Sequence, residues 1–204
     1  MISVVDYGVG NIQAFLSLFK RAGIECKRVS TSNELEESKY LILPGVGHFD
    51  HAMSKLLDSG LVDTLEKLVI THQLPIVGIC VGMQMLSSRS EEGNLPGLNW
   101  IPGVVRSFSS IDNNLPMPHM GWNSVIPTSS SSLFKSELPK SLLEFYFLHS
   151  YYFVPDDKSH IAATSKYGIE FPSVISKDNI HGIQCHPEKS HDAGFEFLRR
   201  FSEQ

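Results

Sequence analysis

Short apolar runs alternating with amphipathic stretches set the rhythm of the first hundred residues. Ile2-Ser-Val-Val5 has strand length and composition, and Asp6-Tyr-Gly-Val-Gly10 follows as a turn. Asn11 is a good N-cap, and behind it Ile12, Phe15, Leu16 and Phe19 recur at helical spacing until Gly23 closes the element. Glu25–Val29 and Tyr40–Leu43 read as the next two strands, the latter running into Pro44-Gly-Val-Gly47. Residues 48–73 are helical in pattern, with a break at Ser59-Gly60. A fully apolar run, Ile76-Val-Gly-Ile79, then reads as a buried strand, and a helix begins at Val81.

The second half is richer in strands. Residues 103–108, 143–147, 150–154, 161–165, 171–175 and 180–184 are candidates. Ser109–Asn114 and Thr128–Ser132 read as polar loops, both too short for interdomain linkers. Ala193–Phe201 reads as an amphipathic helix with Phe197, Leu198 and Phe201 inward. Strands alternating with helices predict a single α/β domain over residues 1–204, with a mixed, mostly parallel sheet and helices on both faces. In such sheets, sites form beyond the carboxyl ends of the strands. Pro44–Gly47 and Cys80 both follow strands directly.

Composition narrows the class of partner. The formal net charge is −5 and no lysine/arginine block interrupts the chain, which argues against nucleic acid and anionic membrane. No apolar stretch approaches membrane-spanning length, and the N-terminal residues lack a basic leader, so a cytoplasmic location is expected. Cys26, Cys80 and Cys185 form no close pair, and the nine histidines form no H-x-x-x-H pair. Neither a disulfide framework nor a metal or other cofactor is expected. Gly8-Val-Gly-Asn-Ile-Gln13 lacks the third glycine of a dinucleotide fingerprint.

Chemistry concentrates at Gly78-Ile-Cys-Val-Gly82. Glycines two before and two after a nucleophile-type residue make the nucleophile-elbow pattern, here with cysteine. The helix N-terminus behind it favours a thiolate. A thiol nucleophile needs a base, and the base needs an orienting group. His186-Pro-Glu188 supplies both on one face of an extended chain, with Cys185 turned away into packing. The N–H of Val81, next after the nucleophile, is the first candidate oxyanion donor. That of Val46 in the Pro44–Gly47 turn is the second, and it is expected to complete the hole only when its peptide turns inward.

The combination of Gly78-Ile-Cys-Val-Gly-Met-Gln84 with His186-Pro-Glu188 resembles the class I glutamine amidotransferases. Five further stretches are similar to the glutaminase subunits of imidazole glycerol phosphate synthases: Pro44-Gly-Val-Gly-His-Phe49, Ser90-Glu-Glu92, Pro118-His-Met-Gly-Trp-Asn123, His149-Ser-Tyr151 and His186-Pro-Glu-Lys-Ser190. Met83 points the same way. The resemblance runs from Asp6 to the C-terminal helix. It implies the family's fold on a flavodoxin-like core. It also implies hydrolysis of L-glutamine to glutamate and ammonia by Cys80, His186 and Glu188, with Gly47, Gln84 and Glu92 binding the substrate's backbone groups. Ammonia would pass to a HisF-type (β/α)8-barrel cyclase in a heterodimer, for histidine biosynthesis, with Asn11, Trp122 and Lys189 facing that partner.

Three departures from the family pattern stand out: Val81 where leucine is usual, Cys185 where phenylalanine is usual, and the segment Gly10-Asn-Ile-Gln-Ala-Phe-Leu16. The last resembles paralogues that supply ammonia for amidination of a surface-polysaccharide sugar, which leaves two acceptor pathways open. A free-standing cysteine hydrolase of the same fold, such as a peptidase, and a binding module that has lost activity are the remaining alternatives.

Overall fold

A computed structural model describes residues 1–110, 115–129, 131, 133–134 and 138–203. Eight strands form the central sheet: β1 (Ile2–Val5), β2 (Cys26–Val29), β3 (Tyr40–Gly45), β4 (Ile76–Cys80), β8 (Ile126–Pro127), β11 (Ile161–Tyr167), β12 (Ile169–Lys177) and β13 (Ile180–Ile183). Their order is β2-β1-β3-β4-β13-β12-β11-β8. The first five pair in parallel and the rest antiparallel. Among the described residues six α-helices accompany the sheet: α1 (Ile12–Arg21), α2 (Ser32–Glu36), α3 (Phe49–Asp58), α4 (Val62–Glu66), α5 (Val81–Met85) and α6 (His191–Phe201). Strand order reverses after β2. With right-handed crossovers, α1 therefore lies on one face and the helices after β2 and β3 on the other.

Among the described residues two smaller sheets stand beside the central one. β5 (Arg89–Ser90) and β6 (Gly103–Ser107) pair in parallel, with β10 (Tyr151–Pro155) antiparallel on β6. β7 (His119–Ser124) and β9 (Glu144–His149) form an antiparallel pair. The six strands expected in the second half are all present. The sequence reading omits α2 and the strands β5, β7 and β8. Residues 111–114 of the first expected polar loop, and 130 and 132 of the second, lie outside the described residues.

Local chemistry explains the elements that hold the site. Asn11 Oδ1 accepts from the Ala14 N–H, and Lys20 and Arg21 sit in the last turn of α1, favourable at both ends of the helix dipole. Its buried stripe is Phe15, Leu18 and Phe19, with Ile12 and Leu16 half-buried, so the inward face is rotated from the expected one. Full burial of each phenylalanine contributes about 1.5–3 kcal/mol. The 48–73 segment breaks where expected: α3 ends at Asp58, Gly60 adopts φ +69, and α4 runs into a π-turn over Lys67–Thr71.

β7 and β9 divide their faces by register. His119 lies opposite His149, Gly121 opposite Phe147 and Asn123 opposite Phe145. The alternate pairs are Met120 with Leu148 and Trp122 with Tyr146. The first set turns inward and the second outward, leaving Met120 64% and Trp122 52% exposed.

Candidate active site

Cys80 ends β4 at φ +54, ψ −113, a conformation that β-carbon sterics disfavour for any residue but glycine. Its neighbours make the turn possible. A β-carbon on Gly82 would strike the Leu43 carbonyl, and one on Gly78 would lie 2.5 Å from the Gly82 carbonyl oxygen. The glycine spacing in the sequence is therefore a requirement of close packing between β3, β4 and α5. α5 has five residues, too few for a large dipole, so the helix terminus contributes less to the thiolate than the sequence suggests.

The base stands opposite. His186 Nδ1 and Glu188 Oε1 are 2.8 Å apart, with side chains 4% and 3% exposed. The two residues do not share the face of an extended strand. Pro187–Lys189 forms a 3-10 turn, and it is the turn that folds Glu188 back onto the imidazole. Burial alone would hold His186 down, but hydrogen bonds with Cys80 and Glu188 outweigh it and raise the imidazole to about 10. His186 is thus held as an imidazolium beside Cys80 and is oriented by Glu188. The other Glu188 oxygen, Oε2, is buried with no hydrogen-bond partner among the described residues.

The turn itself is clamped from β9. The His186 N–H donates to the Tyr146 carbonyl, and Ser190 Oγ accepts from the Tyr146 N–H while donating to the His186 carbonyl. On the other side, a β-carbon on Gly194 would collide with the Pro187 carbonyl, so α6 packs directly on the turn. Ser190 appeared in the sequence only as part of a motif, and its role as a clamp has no sequence signal.

These residues open onto one cleft of about 460 Å3, within the range of small-molecule sites. Val46, Gly47, Cys80, Val81, Gln84, Glu92, His186 and Lys189 all line it, with Leu148, His149 and Tyr151. Gly45 pairs with Cys80 in register, which carries Val46 past the nucleophile, and Gly47 adopts φ +81. Val81 is the first residue of α5, so its N–H is one of the helix's unpaired donors. Glu92 Oε2 accepts from the Phe49 N–H at the start of α3, and Asp50 answers by accepting from the Asn94 and Leu95 N–H groups. Those backbone hydrogen bonds hold the Asp50 carboxyl below its usual range and fix the Glu92 loop.

Gln84 and Gln184 form the floor. Gln84 Nε2 donates to the Tyr151 carbonyl at 3.2 Å and to Gln184 Oε1 at 3.1 Å. Gln184 Nε2 lies 3.7 Å from Cys80 Sγ, and the Leu148 carbonyl lies 3.9 Å from it. Gln184 is a neighbour of the nucleophile that the sequence reading did not name. Burial pushes the Cys185 thiol far up, and Cys26 up to about 12, which leaves Cys80 as the cysteine fit for nucleophilic work.

Two of the expected partner-facing residues stand apart from the cleft. Asn11 is spent on capping α1, and Trp122 stacks on His191 at 5.5 Å. Lys189 Nζ sits 5.7 Å from the Tyr146 ring centre, and Trp122 meets the same ring edge-on, so Lys189 and Trp122 share one surface. Among the described residues no group of three or more His, Cys, Asp or Glu is arranged to hold a metal ion, and no helix is long and apolar enough to cross a membrane.

The family described as Glutamine amidotransferase class-I matches residues 3–203. The chain is 49% identical over 205 residues to the imidazole glycerol phosphate synthase subunit HisH of Bdellovibrio bacteriovorus, covering 100% of both chains. It is 45% identical to the same subunit of Leptospira borgpetersenii, covering 99% of each. A crystal structure of a glutamine amidotransferase superposes with TM-score 0.72 at 20% identity, covering 98% of this chain and 99% of that one, a likeness of fold. With the family matched over nearly its whole length and HisH relatives this similar from end to end, the chain belongs to the class-I glutamine amidotransferases, in their HisH branch.

Proposed function

We propose that this chain, acting as one glutamine amidotransferase domain, is the glutaminase subunit of an imidazole glycerol phosphate synthase. The observation that carries the reading is a cysteine on a strained strand-to-helix turn in the same cleft as a buried His186–Glu188 pair. With its proton held on His186, Cys80 Sγ attacks the side-chain amide carbon of L-glutamine. The carbonyl oxygen becomes an oxyanion, held by the Val81 N–H and, once its peptide turns inward, by the Val46 N–H. His186 gives its proton to the departing nitrogen, ammonia leaves, and a γ-glutamyl thioester remains on Cys80. His186 then takes a proton from water, the hydroxide opens the thioester to glutamate, and the Cys80 sulfur leaves with the proton again on His186. Glu188 holds the imidazole in place and balances its charge. Gly47, Gln84 and Glu92 receive the amino and carboxyl groups of the substrate.

Ammonia released here is delivered to a HisF-type (β/α)8-barrel cyclase, which completes the imidazole ring to give imidazole glycerol phosphate and an aminoimidazole carboxamide ribotide. Support for a partner comes from the outer face of β7 and β9. Met120, Trp122 and Leu148 are exposed and apolar there, and Val46 is exposed beside the cleft. Lys189, and Asn11 at the start of α1, complete the docking surface. HisH relatives matched over their full length favour the histidine pathway over sugar amidination. A cytoplasmic site of action follows from that pathway.

The test is glutamate release by the full chain with and without the cyclase barrel. Wild-type protein is stimulated by the barrel, while Cys80→Ser and Cys80→Ala keep the far-ultraviolet dichroism of the wild type and release no glutamate. Full activity in Cys80→Ala would overturn the mechanism. An isolated chain at full rate, indifferent to every barrel partner, would overturn the coupling to a cyclase.

A further inference from the structure

Beside the cleft, which His149 lines, two histidines face each other across β7 and β9. His119 Nδ1 and His149 Nε2 are 2.9 Å apart, and the residues are 4% and 6% exposed. The mechanism above uses neither ring. Their surroundings nevertheless settle where each proton lies. His149 Nδ1 is 2.8 Å from the Tyr151 carbonyl, which only accepts, so that nitrogen carries the hydrogen. A neutral imidazole has one N–H, so His149 Nε2 is an acceptor and His119 Nδ1 donates to it. His119 Nε2 is then bare, and it faces Asn123 Nδ2 at 3.2 Å, an amide nitrogen that only donates. The other end agrees. Asn123 Oδ1 accepts from the Ser124 N–H and Nδ2 also donates to the Lys166 carbonyl, so the amide cannot be reversed.

The chain of donors ends on the carbonyl that also receives Gln84 Nε2. With that nitrogen committed to Tyr151 and Gln184, the Gln84 oxygen is the atom left to meet substrate. Gln184 in turn touches Cys80 Sγ. We propose that His119 and His149 are positioning residues of the glutamine site: a one-way hydrogen-bond relay from Asn123 to the Tyr151 carbonyl that fixes the Gln84 amide with its oxygen, not its nitrogen, toward the cleft.

Packing insulates the relay. His119 stacks on Tyr167 at 4.1 Å and on Phe147 at 4.9 Å, while Phe108 and Phe171 close around His149. Burial holds His119 down to about 4 and His149 down to about 3, which keeps both rings in the neutral form the relay needs. A charged His149 would set its Nε2–H against the His119 Nδ1–H across 2.9 Å, and a charged His119 would set its Nε2–H against the Asn123 amide N–H across 3.2 Å. The relay starts one residue from Trp122 on β7, so it joins the strand behind the exposed apolar face to the substrate floor.

This inference rests on the glutaminase reading for its activity arm, and its spectroscopic arm is independent of it. Nitrogen-15 spectra of the full chain with labelled histidine are expected to show His119 and His149 as neutral Nδ1–H tautomers, the form less populated by free neutral histidine. In the second arm a glutamine-analogue diazoketone alkylates Cys80, and its half-saturating concentration is separated from its maximal rate. His119→Phe is expected to raise the half-saturating concentration about five- to tenfold, the loss of one orienting hydrogen bond, with the maximal rate within about twofold. His119→Asn, whose amide nitrogen can replace the Nδ1–H donor, restores most of it. Combining His119→Phe with Gln84→Ala adds nothing to Gln84→Ala alone. An Nε2–H tautomer on either ring, or unchanged half-saturation in a folded His119→Phe, overturns the relay. A wild-type chain that the diazoketone does not label overturns the glutaminase reading instead, and the spectra then decide the relay alone.

Discussion

Glu188→Gln tests the catalytic pair most directly, because it keeps shape and removes charge. In the wild type the carboxylate accepts from His186 Nδ1 at 2.8 Å in a site where both side chains are nearly dry. A hydrogen bond to a charged partner contributes about 1.5–3 kcal/mol and a neutral one about 1, so exchanging one for the other costs the imidazolium roughly 1–2 kcal/mol. At 1.36 kcal/mol per tenfold, kcat/KM is expected to fall about tenfold in Glu188→Gln. Glu188→Ala also strands the Nδ1–H in a buried site, and about a hundredfold loss is expected. The pH profile carries the sign. His186 stays protonated up to about 10 in the wild type, held there against burial by Cys80 and Glu188. Removing the carboxylate lets burial act, the imidazole deprotonates at lower pH, and the alkaline limb of glutamate release moves down. Stability moves the same way: the exchange leaves a buried imidazolium without its charged partner, so thermal unfolding of Glu188→Gln is expected below the wild-type temperature. Glutamate release should be followed with the cyclase barrel present, across pH 6 to 10. A Glu188→Gln protein with the wild-type rate and an unmoved alkaline limb would refute the assignment of Glu188 as orienter.

Three further outcomes follow from the same geometry. Gly82→Ala places a methyl against the backbone carbonyl of Leu43, which cannot move aside, so a loss near the upper end of the about 1–3 kcal/mol range for overpacking is expected in denaturant unfolding. Gly8→Ala, which meets nothing within 4 Å and suffers only from φ +89, should cost about 1 kcal/mol, and equal losses at the two sites would remove the steric account of the elbow. Trp122→Ala removes a side chain 52% exposed, so unfolding should be unchanged while the dissociation constant for the cyclase barrel rises at least about tenfold; an unaltered constant would exclude β7 from the docking face. His119 and His149 are depressed in the folded state, so the unfolded chain binds more protons between about 4 and 6.5, and stability falls as pH drops through that window. For His119 alone the descent from 6.5 to about 4 corresponds to about 3 kcal/mol, and because the rings share a hydrogen bond the two contributions do not add. His186 is raised, so its contribution is complete below 6.5 and disappears as pH rises toward about 10. If urea unfolding of a folded His119→Phe variant shows the same acid slope as the wild type, the depressed histidines are not its source.

What the sequence made legible is local, and its limits have physical causes. The elbow could be read because one glycine spacing answers one steric demand, the approach of α5 to the ends of β3 and β4. The His186–Glu188 contact could be read as a pair, but through the wrong geometry. An extended chain would place both on one face, whereas the proline opens a 3-10 turn that does so differently. β7 could not be read from hydropathy because its polarity is inverted. Its inward residues are His119, Gly121 and Asn123, and its outward ones are Met120 and Trp122. A strand that buries a histidine and exposes a tryptophan defeats any rule that places apolar residues inside. Both halves of that inversion have a reason in the structure. The inward histidine and asparagine are affordable because every polar atom of the relay finds a partner of the right kind. The outward methionine and tryptophan are surface that a second chain would cover. The strand that looked least like a strand is therefore the one that carries the proposed relay on one side and the proposed docking face on the other. For the same reason Gln184, Ser190 and the Glu92–Phe49 bond escaped notice: each acts on a residue that only the fold brings near, across 104, 44 and 43 positions of chain.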